Sequence, residues 1–228
     1  MKIGIIVLCR FSSSRLLGKI LIDVNGKPIL QHILDRLKLV SNADQVIVAT
    51  SNDNTDEPIK DFCAQHDIPV FRGSLNNVAS RFLACAQHYG FDYAIRINGD
   101  NLFIDHSVIV DMIEIAKQNK YDLISNVPGR TFPYGMSVEI LRTQFYQSII
   151  YKISDTPHQE HVTSYLYDSE NLGNRFIYLN NKVPEARGIQ LAIDTPEDLH
   201  KAKALLEDLS NFGPDIKLKE IFEKYKNL

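Results

Sequence analysis

The chain has 228 residues, 44% of them hydrophobic, which is ample for one well-buried core and requires no second domain. A formal charge of -3 excludes a general nucleic-acid binder, so any cluster of basic residues reads as a local site for a small anion. The first apolar run, Ile3 to Leu8, is too short for a signal peptide or a membrane span, and Cys9, Cys63 and Cys85 show no metal-ligand spacing, so we expect reduced thiols and a cytoplasmic protein.

Ile3 to Leu8 reads as a first strand that feeds directly into Cys9-Arg10-Phe11-Ser12-Ser13-Ser14-Arg15-Leu16-Leu17-Gly18-Lys19. Small polar residues after a strand leave backbone N–H groups for an anion, and Arg10, Arg15 and Lys19 add positive charge, a combination suited to polyphosphate. The same composition also describes an ordinary solvated loop. The glycine spacing of the Walker and dinucleotide fingerprints is absent, and Ile20 follows Gly18-Lys19 where a P-loop needs a hydroxyl for Mg²⁺. Cys9 reads as a small buried residue at the strand end, with activation by the neighbouring cations as the alternative.

Pro28 opens a helix whose face is marked by Ile29, Ile33, Leu34 and Leu37. Strand-like runs follow at Gln45 to Thr50, Ile68 to Phe71, Tyr93 to Ile97 and Leu123 to Ser125, alternating with stretches of helical period. That alternation predicts an α/β domain on a mostly parallel sheet, with ligands at the carboxyl ends of the strands. Between them, Ser51 to Pro58 reads as turn chemistry and a helix cap. In Phe71-Arg72-Gly73-Ser74, Gly73 permits close backbone approach, while Ser74 either caps the helix over Val78 to His88 or binds substrate. Arg96-Ile97-Asn98-Gly99-Asp100 ends a strand in a carboxylate beside a glycine that lets a phosphate or metal come close, which makes Asp100 a candidate metal ligand. Its other role would be to cap the helix beginning near His106, for which Asp105 competes.

After Ser125 the rhythm breaks at Gly129, Pro133 and Gly135, before strand-like runs at Ser137 to Leu141 and Phe176 to Leu179. The segment of about 127–182 reads as an insertion within a single domain, covering a site or building a dimer contact. His158 and His161 lack a third ligand at short range, which argues against zinc. A last strand, Ile189 to Ile193, runs into Asp194-Thr195-Pro196-Glu197-Asp198, where Thr195 and Pro196 start a helix and Asp194 becomes a second candidate metal ligand. Two aspartates at strand ends facing a basic loop would bring Mg²⁺ to a triphosphate, the arrangement of phosphoryl or nucleotidyl transfer.

These motifs, in this order, resemble the cytidylyltransferases that make CMP-activated acidic sugars, especially the group named after spore-coat polysaccharide biosynthesis. The resemblance is carried by Arg10, Ser13, Arg15, Leu16, Gly18 and Lys19, then by Asn25-Gly26-Lys27-Pro28 and Phe71-Arg72-Gly73-Ser74. It continues through Arg96-Ile97 with Gly99-Asp100, Val138-Glu139, Glu160-His161-Val162-Thr163 and Asp194 to Asp198. It implies a Rossmann-like, GT-A-like nucleotidyltransferase fold with a mixed, mostly parallel sheet flanked by helices. CTP would be bound by Arg10, Ser12, Ser13, Ser14, Arg15 and Lys19, and by Arg72, Gly73, Ser74, Asn98 and Gly99. Mg²⁺ would sit on Asp100 and Asp194, which with Arg10, Arg15 and Lys19 form the catalytic set. Arg81, Arg96, Glu139, Glu160 and His161 are candidates for binding a small acidic acceptor, with His161 alternatively a base. A homodimer is implied, with no nucleic-acid or membrane partner.

The chain also departs from that pattern. Leu8-Cys9 stands where the family often has Gln-Ala, Ser12 where it has Gly, Leu17 where it has Pro, and Gln190 where an arginine often precedes the last aspartate by four positions. Two rival readings are a glycosyltransferase using a nucleotide sugar and a catalytically silent nucleotide-binding subunit.

Overall fold

Ile3–Leu8 forms β1 and is buried at every position, because the sheet it belongs to is covered on both faces. The structure is a computed structural model that describes residues 1–12, 16–169 and 171–228. After β1 come a two-residue-per-strand hairpin, β2 (Asp23–Val24) and β3 (Lys27–Pro28), then α1 (Ile29–Leu37), β4 (Gln45–Ser51), α2 (Glu57–Gln65), β5 (Val70–Gly73) and α3 (Val78–His88). The chain continues with β6 (Tyr93–Asn98), α4 (His106–Ala116), β7 (Leu123–Ser125), β8 (Glu139–Arg142), α5 (Thr143–Ile149), α6 (Thr156–Glu160) and α7 (Ser164–Asp168). It closes with β9 (Arg175–Ile177), α8 (Pro196–Asp208) and α9 (Leu218–Tyr225).

The main sheet has seven strands in the order β5-β4-β1-β6-β8-β7-β9. Strands β5, β4, β1 and β6 are mutually parallel, β8 runs antiparallel to both its neighbours, and β9 is parallel to β7. This is the mixed, mostly parallel sheet that the sequence predicts. Alternation along β1 sends Ile5 and Val7 into the core layer with α1 and α4, and Ile6 and Leu8 into the opposite layer with α3 and Tyr146 of α5. Each such fully buried aliphatic side chain contributes about 1.5 to 3 kcal/mol.

Segment 127–182 supplies β8 and β9 to this same sheet, and its Tyr146, Val162 and Leu166 pack in the layer of α3. The expected strand at Ile189 to Ile193 is corrected: it makes a single bridge, Tyr134 with Gln190. The ladder stops after one residue because Gly135 turns away at φ 85, so close that a Cβ there would lie 2.4 Å from the Ala192 nitrogen. Two caps hold the helices that follow. Asp198 accepts from Thr195 N at 2.9 Å while its own N–H donates to Thr195 Oγ1 at 3.1 Å, and Asp105 accepts from Ser107 N at 2.9 Å and Leu218 N at 2.8 Å. Among the described residues, no helix is long and apolar enough to cross a membrane.

Candidate active site

Parallel pairing of β1 with β6 sets Leu8 opposite Asn98, so the loops beginning at Cys9 and at Gly99 leave the sheet side by side. Gly99 N donates to Leu8 O at 2.9 Å, and a Cβ on Gly99 would lie 2.8 Å from Cys9 Cβ and 2.9 Å from Ile20 Cδ1. Glycine therefore lets the first loop pack against it, and Gly99 also borders the first of the two cavities described below. The same contact brings Lys19, at the start of a short 3₁₀ turn with buried Ile20, over the end of β6.

Lys19 Nζ donates to the Ile193 carbonyl at 2.6 Å and lies 3.5 Å from Asp100 Oδ2 and 3.7 Å from Asp194 Oδ1. Three residues from remote parts of the chain thus meet at one point. Both aspartates keep about a quarter of their side-chain surface accessible, 27% and 29%. Two carboxylates already turned on one cation suit a divalent ion. Among the described residues no third His, Cys, Asp or Glu joins them, so such an ion would complete its shell with water and ligand oxygens, as Mg²⁺ does.

This point lies where two cavities adjoin. The first, about 260 Å³, is bordered by Arg10, Lys19, Arg81, Arg96, Asp100 and Asp194 among others. The second, about 340 Å³, shares Arg96, Asn98, Asp100, His161 and Asp194 with it and adds Arg130, Tyr134, Ser137 and Ser164. Arg10 Nη2 reaches Glu160 Oε1 at 2.7 Å at the rim of the first cavity, with both side chains about two-fifths exposed. Arg81 is 2% exposed and donates through Nη1 to Ser74 O at 2.7 Å, while its buried Nε has no partner among the described residues. Burial pulls its pKa below the usual arginine range.

Antiparallel register sets Arg96 of β6 opposite Glu139 of β8, and the two form an ion pair. Glu139 is 1% exposed, and its other oxygen accepts from Thr163 Oγ1 at 2.6 Å and from the Tyr167 hydroxyl. Burial alone would lower the Arg96 pKa, but Glu139 outweighs it and raises it, while burial and then Glu139 push the Tyr167 phenol up. Glu139 therefore positions Arg96, and it also borders the second cavity.

Arg72, Gly73 and Ser74 are corrected together, since none of them borders either cavity. Arg72 donates to Ser51 O at 2.8 Å and Asp53 O at 2.9 Å and pairs with Glu57, because β5 is the edge strand next to that turn. Ser74 Oγ accepts from Asn77 N at 3.0 Å, Asn77 caps α3 through Ser80 N, and Gly73 packs against the Arg81 side chain at 2.9 Å from a built Cβ. Their common effect is to frame Arg81. Ser12 does not border the cleft either, and Ser13, Ser14 and Arg15 lie outside the described residues. Cys9 is buried with its thiol pushed up by burial, so it packs and is not activated.

Asp56 does more than the helix cap that its string of turn residues suggests. It is fully buried, and its carboxylate accepts from Phe11 N at 2.6 Å, Thr50 Oγ1 at 2.8 Å, Ser51 N at 2.9 Å and Ser51 Oγ at 2.5 Å. It fastens the beginning of the first loop to the end of β4. The available signal was an acid within a Ser/Asn/Thr string, but which backbone it would clamp depends on β1 and β4 being neighbours.

Cations and a pair of aspartates, one just past the parallel strand β6 and the other just before α8, with open space on both sides of them, fit a nucleotidyltransferase. The chain belongs to the cytidylyltransferase family, whose model matches residues 4–227. It is 30% identical to an uncharacterised protein of Methanocaldococcus jannaschii over 95% of this chain and 88% of that one. It is 29% identical to the spore coat polysaccharide biosynthesis protein SpsF of Bacillus subtilis over 95% and 90% of the two chains. A 3-deoxy-manno-octulosonate cytidylyltransferase of Pectobacterium carotovorum matches at 34% over 51% of this chain and 46% of its own. Among solved structures, a cytidylyltransferase from Leptospira borgpetersenii superposes with a TM-score of 0.90 at 28% identity, covering 100% and 94% of the two chains. CMP:2-keto-3-deoxy-manno-octonic acid synthetase complexed with CTP shares the fold at a TM-score of 0.68 and 18% identity, over 92% and 100%.

Proposed function

We propose that this enzyme transfers CMP from CTP to a small acidic sugar with release of pyrophosphate, in surface polysaccharide or glycoconjugate synthesis, and that it depends on Mg²⁺. The observation that carries the reading is the meeting of Lys19, Asp100 and Asp194 at the junction of two cavities. One cavity suits the nucleotide and the other the acceptor. The names of the Bacillus and Pectobacterium relatives support the substrate class.

In this mechanism the triphosphate lies against Arg10 and Lys19, which neutralise the charge that develops on the departing pyrophosphate. An acceptor oxygen from the second cavity attacks the α-phosphorus in line, and the bond to the bridging oxygen of pyrophosphate breaks. His161, which borders both cavities, takes the acceptor proton in this reading. Asp100 and Asp194 would hold Mg²⁺, which supplies charge neutralisation at the phosphates. Arg96, kept charged by Glu139, faces both cavities and orients what lies between them.

The test is pyrophosphate release from each nucleoside triphosphate against a panel of acidic sugars, with Mg²⁺ and with chelator. Release from CTP that requires both acceptor and metal supports the proposal. Release of a nucleoside mono- or diphosphate from a nucleotide sugar would point to a glycosyltransferase instead, and CTP binding without turnover to a silent subunit. A cytoplasmic homodimer belongs to the same proposal, and light scattering tests the assembly.

A further inference from the structure

Most charges around the second cavity are already answered. Arg96 is paired with Glu139, whose other oxygen takes Thr163 and Tyr167, and Lys19 stands between Asp100 and Asp194. Arg130 differs. It borders the second cavity and not the first, and among the described residues its guanidinium makes no ion pair and no hydrogen bond. It sits over the Tyr134 ring, 5.1 Å from the centroid.

The backbone supports this placement at a cost. Arg130 has φ 48, in the left-handed region that a bulky side chain rarely adopts, directly after Gly129 at φ 78. Its platform is fixed: Tyr134 N donates to Ile189 O at 2.9 Å and Tyr134 O accepts from Leu191 N at 3.0 Å, which sets Tyr134 beside Gln190. Gln190 is neutral, and its side-chain amide donates to Ala192 O at 3.0 Å. The loop after β7 thus brings a cation to this wall of the second cavity.

We propose that Arg130 is the residue that makes this enzyme select an acid, by binding the carboxylate of the acceptor with its guanidinium fork over Tyr134. The inference rests on the cytidylyl-transfer reading above and names the side chain that chooses the acceptor. A guanidinium matches a carboxylate through two parallel N–H donors, and a ring beneath it limits the orientations it must give up on binding.

The test compares 3-deoxy-D-manno-octulosonate and N-acetylneuraminate with their methyl esters, using CTP and Mg²⁺, in the parent and in Arg130→Ala, Arg130→Lys and Arg130→Gly. The parent should prefer acid to ester. Arg130→Ala should raise the KM for the acid about 10- to 100-fold, leave the KM for CTP in place and bring the acid-to-ester ratio close to one. Lysine should recover part of the preference, because it keeps the charge and loses the fork. Arg130→Gly should lose the preference while melting no lower than the parent, since glycine accepts this φ without strain. An unchanged ratio in Arg130→Ala, or a parent that uses esters as readily as acids, overturns the inference and leaves cytidylyl transfer standing. A parent that binds CTP but releases no pyrophosphate with any acid or ester overturns the functional reading, and the inference with it.

Discussion

Arg10 at the end of β1 and Glu160 at the end of α6 form an ion pair of 2.7 Å at the rim of the first cavity. In the proposed function Arg10 faces the triphosphate, and nucleotide binding would then displace this carboxylate. Because both partners are about two-fifths exposed, the pair is a weak hold on Arg10.

Replacing Glu160 by Gln should therefore tighten CTP binding about two- to fivefold, the range of an exposed pair. Titration calorimetry at low salt reads the change, and it should shrink as salt rises. Weaker binding in this variant would show that Glu160 serves the nucleotide directly.

Lys19→Met should lower pyrophosphate release about 10²- to 10³-fold, the usual loss for a preorganised charge at a transition state. It also leaves Asp100 and Asp194 facing each other without their ammonium. Added Mg²⁺ should then raise the melting temperature of the variant more than that of the parent, without nucleotide. Equal shifts in a scanning fluorimetry series would remove the two aspartates from the metal proposal.

Asp56 makes the fold sensitive to acid. Burial works to raise its pKa, but hydrogen bonds from Ser51, Phe11 and Thr50 outweigh that and hold it below the usual value. A carboxylate depressed in the folded state stabilises above its unfolded pKa of about 3.9, and that stabilisation is lost as pH falls through the folded value. Asp56→Asn should cost about 2 to 3 kcal/mol at pH 7 in urea unfolding and lose less than the parent between about pH 5 and pH 3.

Glu139→Ala should destabilise by about 2 to 4 kcal/mol, because it strands the largely buried Arg96 charge and two hydroxyl donors. Denaturant unfolding measures this. A variant of parental stability with only a raised acceptor KM would return Glu139 to the role its motif suggested.

Local order was largely legible before any coordinates. Alternating strand and helix periods located β1, β4, β6 and β7, and the Thr195-Pro196 helix start was visible because caps depend on neighbours in sequence. Asp100 and Asp194 were found as acids ending apolar runs, and Lys19 as a cation after the first. Arg72 and Ser74 carry ligand-binding residue types, yet β5 lies at the edge of the sheet, where Arg72 spends its donors on backbone carbonyls of the preceding turn and Ser74 accepts from Asn77 N. Ile189 to Ile193 looked like a strand because it is apolar, but pairing depends on a partner that stays extended, and Gly135 does not.

Sequence alone thus determined the alternation of elements, the cationic first loop and the two acids, since each is a pattern of neighbours. Only the tertiary structure decided that Lys19 bridges those acids, that Glu139 pairs with Arg96, and that Arg130 stands over Tyr134 with no ion pair among the described residues. Those outcomes depend on strand order and register, which bring together side chains that no local spacing relates.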